Sequence, residues 1–170
     1  MSKRTTSLWF PLSVLLAFTL SASARGEEAA KPTMLNAAGM TFVTVPGLPT
    51  CARVSPRSGD PTKGAFIVYA KVPTGCSIPW HWHTANETLL IVSGAAHMEM
   101  KGEKPMTLRL GGFTSLPSHQ THQLHCKQNC TFFIQSDGAF DIHYVDAQGK
   151  EIPAADALKP VKETAATEMK

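Results

Sequence analysis

Several features that would have pointed to common protein classes are missing from this 170-residue chain. No Lys/Arg cluster stands beyond residue 24, so nothing suits a phosphate backbone, and nucleic acid is excluded as an expected partner. No long stretch carries helical periodicity, and no strand pattern alternates with a helical one. That argues against a parallel α/β sheet. There is no internal repeat. The apolar run at residues 8–20 is 13 residues long, short of the roughly 20 that a spanning helix needs. No cysteine stands directly after it, which argues against a lipid anchor.

What the N-terminus does have is the layout of a secretory signal peptide. Lys3 and Arg4 precede the apolar run, and Ala22, Ser23 and Ala24 give a small-x-small cleavage pattern. Residues 1–24 are read as a signal peptide cut after Ala24, which makes the mature protein periplasmic or secreted, with no stable membrane insertion. Without Lys3 and Arg4, 16 basic residues become 14 against 13 acidic ones, so the formal charge falls from +3 to +1. All four cysteines (Cys51, Cys76, Cys126 and Cys130) lie in the exported part, where disulfides are permitted. Four cysteines allow three pairings. Cys51 and Cys76 flank a predicted strand, and Cys126 and Cys130 enclose Asn129, a possible turn. The pairs 51–76 and 126–130 are therefore preferred, against the alternative of small buried hydrophobes.

Residues 25–39 read as a linker or N-terminal arm. Residues 40–147 then repeat one theme: short β-prone runs separated by Gly, Pro, Asn and Asp. The runs fall at 41–45, 65–72, 88–92, 95–100, 106–110, 123–126, 131–135 and 140–145. A spacing of about 8–12 residues is the mark of an all-β sandwich or barrel. Residues 148–170 form a tail in which 154–159 can make a short helix.

The chemistry concentrates in one segment. His81 and His83 are two apart, and on a strand positions i and i+2 share a face. Two imidazoles can then converge on one ion, while Trp80 and Trp82 pack on the other side. Glu87 follows a tight connection, Thr84, Ala85 and Asn86, and opens the next strand, from which it can fold back to the same ion. Two neutral imidazoles and a carboxylate suit a divalent metal. A third imidazole must come from His119, His122 or His125. His119 follows Pro117 into a turn, and His125 has the opposite strand parity to His122. His122 is the choice.

The first segment, Gly75 through His81, His83 and Glu87 to Gly94, resembles the first cupin motif, G-x5-H-x-H-x3-E-x6-G, at every fixed position. Gly111, Pro117 and His122 fit the second motif, G-x5-P-x-G-x2-H-x3-N. His119 stands where the family usually has Gly, and Cys126 where it usually has Asn. The resemblance covers about residues 75–126, with a compact 16-residue gap between motifs. It implies a single cupin jelly-roll β-barrel of the RmlC-like kind, all-β, with His81, His83, Glu87 and His122 as metal ligands. The ion is expected among Fe, Mn, Zn, Ni and Cu, with Fe or Mn ahead.

The remaining candidates have ordinary readings. His97 is expected to face solvent or support the site, and His143 to be an ordinary satisfied histidine rather than one lining the barrel mouth. Met98, Met100 and Met106 suit packing better than soft copper ligation. Three functions stay open. Four protein ligands leave about two positions on an octahedral ion for a small-molecule substrate, as in a dioxygenase, isomerase or lyase. The barrel can also bind a metal or small ligand without turnover, or hold a structural ion. A homodimer is a family-level expectation.

Overall fold

The computed structural model describes residues 32–159. The signal-peptide reading of residues 1–24, the start of the arm and the tail from residue 160 lie outside the described residues. Within them, eight strands and one short helix follow in order: β1 (Arg53–Gly59), β2 (Phe66–Val72), β3 (Ser77–Trp82), β4 (Glu87–Met100), β5 (Met106–Leu108), β6 (Phe113–Leu116), β7 (His122–Ser136), β8 (His143–Tyr144) and α1 (Ala154–Ala157). Every pairing is antiparallel. This is the all-β jelly-roll barrel expected from the motifs.

Two long strands organise it. The first half of β7 lies between β3 and the second half of β4, and the second half of β7 lies between β2 and the first half of β4. Each of these long strands had been expected as two shorter ones, 88–92 with 95–100 and 123–126 with 131–135. They are continuous because both bend at the same place. In β4 the register slips between Ile91 and Ala96, and Gly94 there has φ +83°. The slip reverses the strand's parity. Glu87, Leu89 and Ile91 face inward before it, Ala96 and Met98 after it. Strict alternation would have turned one half of the strand inside out.

Opposite Gly94, β7 bulges at residues 127–129, and the disulfide Cys126–Cys130 spans the bulge. The expected turn at Asn129 is therefore a bulge inside a strand. The second disulfide joins Cys51 to Cys76 across β1 and β2. Both preferred pairings are the ones formed.

Strands β1 and β6 had not been foreseen. Pro56 and the Arg and Ser residues of β1 hide its β character, and β1 carries a register shift between Pro56 and Ser58. The run expected at 41–45 makes only an isolated bridge, Val43 with Val54. The run expected at 140–145 shortens to two residues, and the helix expected at 154–159 to one turn. The core is drawn from all parts of the barrel, with Phe132, Ile91 and Leu116 almost fully buried.

Candidate metal centre

The site is built on β3, the start of β4 and the start of β7. Within β3, Ile78 pairs with Leu124 and His81 with His122, so β3 carries one extra residue between those pairs. The bulge falls at Pro79 and Trp80, where a missing N–H costs no ladder bond. It lets Ile78 and His81 both reach the cavity despite their opposite parity. His83 follows two residues after His81 and points the same way, as i and i+2 spacing requires. The register that seats His81 opposite His122 puts their rings 4.1 Å apart.

The three imidazoles His81, His83 and His122 each present a ring nitrogen, and these atoms lie within 4.8 Å of one another. The Glu87 carboxylate stands beside them, its Oε2 3.7 Å from His83 Nε2 and 3.9 Å from His122 Nε2. The three imidazoles named from the sequence thus meet in one place, with the Glu87 carboxylate within 4 Å of two of them. The two rejected histidines lie elsewhere. His125 is on the outer face of β7, bonded to Ser77 Oγ at 2.6 Å. His119 is in the preceding turn with φ +63°. The histidine keeps the left-handed backbone that the family's glycine would adopt without strain. Its N–H donates to the carbonyl of His83 at 2.9 Å, and its ring stacks on Trp82 at 4.4 Å.

The second nitrogen of each ligand candidate settles its tautomer. His81 Nδ1 donates to the carbonyl of Pro79 at 2.6 Å and His122 Nδ1 to the carbonyl of Gln120 at 2.9 Å. His83 Nδ1 donates to the backbone carbonyl of Asp141. A carbonyl oxygen only accepts, so Nδ1 carries the proton in all three rings. Each neutral ring then offers its Nε2 lone pair. Backbone carbonyls holding the outer nitrogen are the usual support for metal-ligating histidines. The sequence does not show the part played by Asp141, which contributes through its main chain. Its side chain accepts from the Thr84 N–H at 2.9 Å, fixing the loop after His83.

Burial keeps His81 and His122 uncharged. It drives the His81 pKa well down, aided by the neighbouring His122 and His83 and opposed by the bond to Pro79. Burial also lowers His122 to about 4. The Glu87 carboxyl is pushed up by burial, with His83 pulling the other way. A divalent cation would reverse that last preference and hold Glu87 as a carboxylate.

His143 lies outside the cluster. It stacks on Trp82 at 3.9 Å and 5° and bonds Asp141 Oδ2 at 3.3 Å. It is the satisfied histidine expected. His97 bonds Thr107 Oγ1 at 3.1 Å, away from the cluster. Met98 is buried in the cavity wall, whereas Met106 is exposed on its short strand.

The cupin-domain family profile matches residues 68–134. With the jelly-roll architecture, this marks a cupin domain within the chain. Among solved structures, the chain is similar to an RmlC-like cupin protein from Ralstonia eutropha JMP134 (19% identity, TM-score 0.57, 74% of this chain and 80% of that one). It is also similar to the DMSP lyase DddQ from Ruegeria pomeroyi DSS-3 (18% identity, TM-score 0.55, 65% of this chain and 64% of that one). A third is KdgF from a Halomonas species (17% identity, TM-score 0.54, 65% of this chain and 96% of that one). At such identities the likeness is one of fold. No curated protein matches the chain.

Proposed function

We propose that this is an exported cupin, its domain spanning residues 40–147, which binds one divalent metal ion through His81, His83, Glu87 and His122 and acts on a small molecule. The observation that carries the reading is the set of three imidazoles whose Nδ1 protons are each committed to a backbone carbonyl, leaving three Nε2 lone pairs beside one carboxylate. Three nitrogens and one oxygen suit Fe or Mn, and also Zn, Ni or Cu. When bound, such an ion supplies Lewis-acid or redox chemistry at positions that the protein leaves free. The chain's own residues orient the ligands, keep His81 and His122 neutral by burial and line the site with apolar side chains. The two disulfides favour export to an oxidising compartment.

Non-catalytic binding of a metal or small ligand is the second reading. It is favoured by the cavity lining, which among the described residues offers no titratable side chain besides His81, His83, Glu87 and His122.

The test is metal analysis of the chain purified anaerobically, followed by oxygen uptake with catechols, diketones and flavonols. One equivalent of metal is expected in the parent, with His81→Ala and His122→Ala each losing it. Full retention in both variants refutes the site. Absence of uptake by an iron-loaded sample across the panel moves the reading from dioxygenase to binding protein.

A further inference from the structure

The walls around the imidazole cluster define the molecule it would take. The chamber at the histidines has a volume of about 50 Å³. A second chamber of about 60 Å³ shares Leu48, Val54, Glu87, Ile134 and Phe140 with it, and extends to Phe66 and Val68. Among the described residues, every side chain lining either chamber is apolar apart from the three histidines and Glu87. No described lysine or arginine is there to meet a carboxylate or phosphate. No described Ser, Thr, Asn, Gln or Tyr side chain is there to meet a row of hydroxyls. Phe140 lines both chambers, and its ring lies 5.9 Å from that of His83.

We infer that the ligand is a small, uncharged-bodied molecule with one polar chelating head, the head at His81, His83 and His122 and an apolar body of a few carbons lying along Phe140 towards Phe66 and Val68. Phosphorylated sugars, polyols and dicarboxylates are the wrong class, because a second polar group would lose its water and find no partner. The two chambers together are smaller than the roughly 150 Å³ cavity that takes up benzene, so the part of the body they enclose is short. The chelating head rests on the metal reading above. The apolar body rests on the walls alone.

The experiment separates the two. In the metal-free chain, 1-butanol and 1,4-butanediol are titrated while the methyl resonances of Leu48, Val54, Val68 and Ile134 are followed by NMR. Butanol should shift them saturably, and the diol should bind at least about tenfold more weakly, from the cost of burying an unpaired hydroxyl. In the cobalt-loaded chain, butyrohydroxamic acid should bind over tenfold more tightly than acetohydroxamic acid, at about fourfold per buried methylene. The carboxylate-ended succinomonohydroxamic acid should lose that gain. Equal binding of butanol and the diol, no saturable shift at those methyls, or tight binding of the carboxylate-ended hydroxamate would each overturn the inference. A chain that takes up butanol but retains no cobalt would support the apolar chamber and refute the metal reading.

Discussion

Gly94→Ala tests whether the bend shared by β4 and β7 is what builds the barrel. A methyl group at position 94 would stand 2.1 Å from the Gln128 carbonyl oxygen and 2.3 Å from that of Asn129. Both obstacles are backbone, so neither can rotate away. The backbone at Gly94, with φ +83°, adds the left-handed penalty of about 1–2 kcal/mol for a residue with a Cβ. Forcing apart the bulge of β7 adds about 1–3 kcal/mol, as for other overpacked sites. The sum, about 2–5 kcal/mol, is a large part of the roughly 5–15 kcal/mol by which domains are stable. Gly75 supplies the control. It has the same φ of +83°, but a Cβ there meets nothing within 4 Å, so Gly75→Ala should cost only the conformational part, about 1–2 kcal/mol. Urea denaturation followed by tryptophan fluorescence gives both numbers. If Gly94→Ala proves no more destabilising than Gly75→Ala, the close approach of Gly94 to β7 has no energetic consequence, and the reasoning fails.

Acid should weaken the metal-free chain. His122 has a folded pKa of about 4 against an ordinary 6.5, so between those values the unfolded state binds a proton that the folded state refuses. Stability is then full above pH 6.5 and falls as the pH drops towards 4, by up to about 3 kcal/mol for His122 alone. His81 acts in the same direction. Glu87, whose pKa is raised, opposes them over part of the range. Urea midpoints at pH 7 and 4.5 check this, and an unchanged midpoint would mean that the histidines are solvated. Glu87→Gln should raise the metal Kd by about tenfold or more, on the scale seen when the groups supporting a metal site are altered; competition with a fluorescent chelator measures it, and an unaltered Kd would remove Glu87 from the ligand set. Cys51→Ala with Cys76→Ala opens a link across 25 residues of sequence and should cost about 3 kcal/mol by loop-closure entropy. The shorter 126–130 link should cost less by that term, so thermal unfolding of the two double variants should rank them in that order.

What the sequence determined by itself was whatever depends on neighbours a few residues apart. The two-residue spacing of His81 and His83 puts both on one strand face under any register, and Glu87 follows within reach after a short turn. The same local logic excluded His125, since its parity opposes that of His122. Turn residues every 8–12 positions were enough to read an all-β barrel. Strand β1 escaped because Pro56 and a bulge broke its alternation, and β4 and β7 were each divided in two because a bulge resembles a turn when its partner strand is unknown. Tertiary structure decided what depends on register. Which residue stands opposite His81 is set by the β3–β7 ladder and the bulge at Pro79, and that ladder delivers His122. The carbonyls that fix the imidazole tautomers come from Pro79, Gln120 and Asp141, and Asp141 acts from 58 residues beyond His83. The apolar chambers are likewise assembled from loop and strand residues far apart in the chain, from Val45 to Phe140. Periodicity can place a side chain on a face, but only the hydrogen-bonded ladders between distant strands decide what that face meets.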